Sequence, residues 1–200
     1  MLRNRHFWFG FIGTLLLVGL GWWAWDRFRP YAFHGTVLQS NEPAPDFTLM
    51  SANGPVSLSD FRGKIVLLYF GYTFCPDVCP TTLTELKRAM EVLGDDADQV
   101  QVIMVSVDPE RDTPEKVQEY VEYFWPTFLG VTGTPDQIAE VATQYGIYYE
   151  KREVPGATGY LMDHTATVTV VDKDGYIKLI FPFGTPGEDI AADLKYLIDH

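Results

Sequence analysis

Hydrophobic and polar positions follow two different rules along this chain. From Phe7 to Trp25 there is no charged residue. From Phe47 onward, apolar residues arrive in short bursts separated by polar turns. The burst Ile65-Val66-Leu67-Leu68-Tyr69-Phe70 is continuous and of strand length, as expected of a strand buried on both faces. Pro76 to Leu93 follows a helical rule. Leu83, Leu86, Met90 and Leu93 recur at three- and four-residue steps and share one face. Val100 to Val107 is a second apolar strand. Thr113-Pro114-Glu115 opens a second helix, with a capping hydroxyl, a proline at the first position and an acid in the first turn. Thr134-Pro135-Asp136 repeats the device for a helix ending near Tyr145-Gly146. Ala166 to Val171 and Tyr176 to Phe181 read as strands joined through Lys173-Asp174-Gly175. Pro186 to Ile198 makes a final helix. A short hairpin, Phe47–Met50 and Val56–Leu58 around Asn53-Gly54, precedes the first core strand. Strands alternating with helices predict an α/β sheet flanked by helices.

The uncharged N-terminal run is long enough to span a bilayer's hydrocarbon core, at roughly 1.5 Å per helical residue. Phe7, Trp8 and Phe9 mark one end, and Trp22, Trp23 and Trp25 the other, like two interfacial belts. A cleaved signal peptide would carry a shorter apolar core, of about 7–15 residues, and a small-x-small cleavage site. Gly19-Leu20-Gly21 matches such a site poorly. The reading is a membrane anchor over residues 1–26, a linker over 27–42 containing Pro30, and one folded domain over 43–200. Arg3, Arg5 and the amino terminus lean towards an N-terminus inside.

Charge narrows the partners. The chain holds 15 basic and 27 acidic residues. Arg3 and Arg5 are the only ionised side chains before Asp26, so residues 26–200 carry 13 basic against 27 acidic groups, a formal net charge of −14. Such a surface repels nucleic acid and suits solubility, a cation or a basic partner.

Cysteine use points to chemistry. The two cysteines, Cys75 and Cys79, have three residues between them. A disulfide there closes almost no loop and would contribute little to stability. The segment Gly71 to Pro80 joins a buried strand to a helix, and sheets of this kind bind ligands at strand carboxyl ends. Pro76 suits the first helical position, which puts Cys75 near the cap and Cys79 one turn along, with Cβ atoms roughly 5–6 Å apart. A helix N-terminus favours thiolate. Two soft thiolates in that relation make a clamp for a soft ion such as Cu(I), although free cysteines also serve as small buried hydrophobes. A third ligand must come from His6, His34, His164 or His200. Only His164 lies inside the expected domain, just before a core strand. A structural role and a ligand role remain equally open for it on these grounds.

The motifs resemble a known family. Ala44 to Leu49 and Leu58 to Lys64, followed by the strand to Phe70, look like the front half of thioredoxin-like and peroxiredoxin-like proteins. Gly71 to Pro80, Ser106 to Pro114, Gly130 to Pro135 and Asp163-His164-Thr165 resemble the SCO (SenC) copper chaperones, in matching order from about Phe33 to the C-terminus. The resemblance implies a thioredoxin-like fold and one copper ion, Cu(I) or Cu(II), held by Cys75, Cys79 and His164. It implies that the domain supplies copper to the dinuclear copper site of cytochrome c oxidase, or reduces that site's cysteines. Other copper chaperones or thiol reductants would be further partners. Asp77 also matches the family pattern; it either orients the site or simply supports the helix dipole. The N-terminus lacks an Arg- and Ser-rich transit segment, which favours a bacterial inner-membrane protein with its domain on the periplasmic side.

Two enzyme classes compete with the chaperone. A thioredoxin-type thiol–disulfide oxidoreductase would use Cys75 and Cys79 as a redox disulfide pair. Thioredoxins, however, place two residues between their cysteines and face them with a proline, where this chain has three residues and His164. A peroxiredoxin-like peroxidase needs a Thr-x-x-Cys setting and a nearby arginine. Thr73 is only two residues before Cys75, and no arginine adjoins it in sequence.

Overall fold

The computed structural model describes residues 18–22, 25, 30–38, 42–153 and 159–200. The chain divides into two units, Met1–Ala32 and Phe33–His200. In the first, residues 18–22 are helical. Most of the uncharged run lies outside the described residues. No helix among the described residues is long and apolar enough to cross a membrane.

The second unit is built on an eight-stranded sheet. Its strands are β1 (Thr36–Val37), β2 (Thr48–Ser51), β3 (Gly54–Ser57), β4 (Ile65–Gly71), β5 (Val100–Ser106), β6 (Leu129–Thr132), β9 (Val168–Val171) and β10 (Ile177–Phe181). Their order is β1-β10-β9-β4-β5-β6-β2-β3. β4, β5 and β6 are parallel, and β9 joins β4 antiparallel, so the sheet is mixed. A separate two-stranded sheet pairs β7 (Tyr149–Glu153) with β8 (Tyr160–His164). The helices are α1 (Val78–Leu93), α2 (Pro114–Glu122), α3 (Pro135–Gln144) and α4 (Gly187–Asp199). This is the expected thioredoxin-like arrangement of a central mixed sheet flanked by helices.

The strongest apolar run becomes the centre. All seven residues of β4 are buried, so both faces of that strand are covered. α1 turns Leu83, Leu86, Met90 and Leu93 inward, as the periodicity predicts, and packs along α4. The caps also follow the sequence. Thr113 Oγ1 accepts from the Lys116 amide, and Thr134 with Gln137 forms a reciprocal capping box ahead of α3.

Three features depart from expectation. β6 is four residues long and contains Gly130, too brief to register as a strand by pattern. The β7–β8 hairpin does not stand out because four of the five β7 residues are exposed and polar. Within the stretch read as a linker, Thr36 and Val37 pair with Ile180 and Leu179. His34 of the same stretch is tied to the fully buried Asp193, whose carboxylate accepts from the His34 and Gly35 amides and meets the His34 ring at 3.0 Å.

Candidate metal centre

The site forms at the carboxyl end of β4. The chain leaves the sheet at Gly71 and makes a turn closed by the Cys75 amide on the Tyr72 carbonyl, at 3.3 Å. α1 begins two residues later than the proline suggested. Its N-cap is Asp77, at φ −144° and ψ −68°, and this cap makes no side-chain hydrogen bond. Cys75 and Pro76 therefore lie in the turn before the helix, and Cys79 in the first helical turn. The Cys79 amide, one of the free donors at the helix start, donates to Cys75 Sγ at 3.3 Å.

Cys79 is fully buried, whereas Cys75 is only partly so. Gly71 makes room for the buried thiol. A Cβ at position 71 would lie 3.0 Å from Cys79 Sγ and 2.9 Å from the Tyr69 ring. Tyr69 is itself fully buried, and its hydroxyl has no hydrogen-bond partner among the described residues.

His164 arrives from the other side, as the last residue of β8. Its Nε2 stands 3.5 Å from Cys79 Sγ. Its Nδ1 lies 3.2 Å from the Thr165 carbonyl, a contact that suits a proton on Nδ1 and a lone pair on Nε2 facing the thiols. The Tyr72 ring meets the imidazole edge to face, with centroids 5.9 Å apart. Cys75 Sγ, Cys79 Sγ and a His164 ring nitrogen all lie within 4.8 Å of one another. The three expected residues are thus brought together, on two elements 85 positions apart.

The two thiols are electrostatically unequal. Cys75 is pulled down to about 3, first by a hydrogen bond from the Cys79 thiol, then by His164 and by the amides of Asp77 and Cys79, against its partial burial. Cys79 is driven up by that same hydrogen bond and by burial. The metal-free pair shares one proton, with the thiolate on Cys75. Burial pushes the Tyr72 phenol up to about 12.

The site opens through a cleft of about 280 Å³, lined among others by Tyr72, Cys75, Asp77, Arg152, Met162 and His164. The Asp77 side chain is exposed. Arg152, which sequence proximity could not bring to the cysteines, reaches the cleft from β7 and pairs with Asp163 at 2.8 Å. Two thiols and one imidazole are a donor set for a soft or borderline metal ion. The same thiolate could also attack a disulfide.

Known proteins resemble this chain in sequence and in fold. The profile of the SCO1/SenC family matches residues 36–199. An SCO2-like protein of Rickettsia conorii is 34% identical over 166 residues, covering 80% of each chain. The apo Sco1 protein of Thermus thermophilus is 47% identical with a TM-score of 0.75, covering 84% of this chain and 98% of that one. Copper-bound ScoI of Bradyrhizobium japonicum is 41% identical with a TM-score of 0.71, covering 78% of this chain and 99% of the other.

Proposed function

The chain belongs to the SCO1/SenC family, and on that premise we propose that it is a copper metallochaperone holding one ion through Cys75, Cys79 and His164. The observation that carries this reading is the convergence of the three donor atoms within 4.8 Å. Thiolates suit Cu(I), and an imidazole makes Cu(II) tolerable as well. A relative 41% identical to this chain has copper bound. Metal binding replaces the shared proton and takes both sulfurs as thiolates.

The cargo is destined for the dinuclear copper site of cytochrome c oxidase, either as delivered copper or as electrons that reduce that site's cysteines. Asp77 supports the centre as the N-cap residue of the helix that carries Cys79, and it lines the cleft. Residues 7–25 anchor the protein in a bacterial inner membrane, with the folded unit on the periplasmic side. Their length without charge and their terminal aromatic residues support that placement.

A thiol–disulfide oxidoreductase is the second reading, favoured by the lowered pKa and partial exposure of Cys75. Metal analysis of the purified full-length chain tests the first. We expect one copper per chain in the parent and none in the Cys75→Ala, Cys79→Ala double variant. Stoichiometric copper in that variant would sink the proposal.

A further inference from the structure

The centre draws its ligands from two structures that share no strand pairing. The cysteines follow β4 of the main sheet, whereas His164 ends a hairpin whose strands pair only with each other. The backbone joins them only through residues 165–167, which lead from His164 to β9 beside β4, so side chains must complete the register.

The loop from Asp108 to Asp112 touches both sides. Asp112 is buried and reaches back to the cysteine turn, where it accepts from the Thr73 amide at 2.9 Å and the Thr73 hydroxyl at 2.6 Å. Asp108 is also buried and reaches forward to the hairpin, where it accepts from the Tyr160 hydroxyl at 2.7 Å. Arg111 lies between them. Its guanidinium carbon sits 4.7 Å from the Phe74 ring centroid and 3.6 Å from that of Tyr160. Phe74 immediately precedes Cys75. Arg111 Nε donates to Asp108 at 2.5 Å, and Nη1 donates to the Tyr160 carbonyl at 2.9 Å.

Strand geometry carries this fixation to the ligand. Side chains two apart on a strand share a face, so Tyr160, Met162 and His164 point the same way along β8. Tyr160 fastens one end of that face, Met162 is buried in the middle, and His164 projects into the site at the other end.

We propose that Arg111 is a positioning residue that holds the cysteine half and the histidine half of the centre in register. The proposal rests on the copper reading given above. A planar guanidinium is suited to this place because it contacts two rings and also makes directed hydrogen bonds, which an ammonium does with far less geometric definition. The effect on copper passes through His164, so it must vanish when His164 is absent.

A double-mutant cycle in the full-length chain tests that dependence. Copper affinity is measured by competition with a chromophoric chelator, and the Cu(II) site is followed by electron paramagnetic resonance. Arg111→Lys should weaken Cu(II) binding by about 10–100-fold, the range for residues that orient metal ligands. It should also change the Cu(II) spectrum. Added to His164→Ala, the same substitution should cost less than about threefold, since coupled residues are not additive. Equal losses in both backgrounds, or no loss in the parent, overturn the proposal. Tyr160→Phe, which removes one hydroxyl and keeps the ring, guards against a folding defect. It should weaken Cu(II) severalfold in the parent and not at all in His164→Ala, and equal losses there also overturn the proposal. If the Cys75→Ala, Cys79→Ala double variant keeps its copper, the copper reading falls and takes this one with it. If only the cycle is additive, the copper reading stands and Arg111 is structural.

Discussion

His164 Nε2 lies 3.5 Å from Cys79 Sγ across 85 residues of chain, so the histidine meets the less exposed of the two thiols. This contact gives His164→Ala a definite expectation. The fold should survive, since the side chain ends a two-stranded hairpin. Copper binding should weaken, and more for Cu(II) than for Cu(I), because thiolates alone favour Cu(I). Equal retention of both ions, with native circular dichroism, would return His164 to a structural role.

Cys75 should behave as a thiolate far below the usual range for a cysteine, about 8.5. In metal-free reduced protein its pKa is lowered to about 3. Lowering the pH from 8 should leave its alkylation by iodoacetamide nearly constant until the solution approaches that value. Cys79 should stay unmodified because it is buried and protonated. Peptide mapping by mass spectrometry reads both rates. An inflection for Cys75 near pH 8.5 would refute the assignment of the shared proton.

Copper and a disulfide should exclude each other, since both engage the same sulfurs. Oxidised protein should bind copper poorly, and copper-loaded protein should resist oxidation. In an insulin-reduction assay the metal-free reduced chain should turn over far more slowly than a thioredoxin control, because a histidine, His164, meets the thiols and crowds an incoming disulfide. Comparable turnover would move the oxidoreductase reading ahead.

Gly71→Ala should destabilise the domain by about 1–3 kcal/mol, the usual cost of overpacking a core. The added methyl would meet Cys79 Sγ at 3.0 Å and the Tyr69 ring at 2.9 Å. Urea unfolding of metal-free protein measures it. An unchanged midpoint would mean that the thiol has more room than the structure gives it.

A second pH effect should arise at His34, just before β1. His34 is raised above its ordinary value, chiefly by its hydrogen bond to Asp193, which outweighs desolvation, with smaller help from the charges of Asp189 and Asp193. A raised folded value means that its stabilisation is fully present below the unfolded pKa, about 6.5, and is lost as pH rises through the folded value. His34→Gln should therefore lower the thermal midpoint more at about pH 5.5 than at about pH 8.5. A difference independent of pH would show that the ring's charge does not matter.

Much of this architecture was legible in the sequence where patterns are local. The β4 run, the inward face of α1 and the Thr-Pro helix starts all depend on neighbours within a turn or a strand. The helix start at Asp77 was less legible, because Pro76 is allowed in the preceding turn as readily as in the first helical position. β8 did carry a usable signal in its alternation of Tyr160, Met162 and His164, but its partner β7 reads as Tyr-Glu-Lys-Arg-Glu. The roles of Arg111 and Arg152 could not be read at all. Arg111 depends on stacking between rings 86 positions apart, Phe74 and Tyr160, which no linear pattern encodes.

The unequal burial of the two cysteines gives any handover a chronology. A cargo ion held as proposed would leave by exchanging one bond at a time with an incoming donor. The cleft exposes Cys75 and His164 along its wall and not Cys79. The first bonds surrendered there would be those at the cleft wall, and the bond to Cys79 would break last. Until then the ion would be shared between two proteins, so it need never drift free into solution.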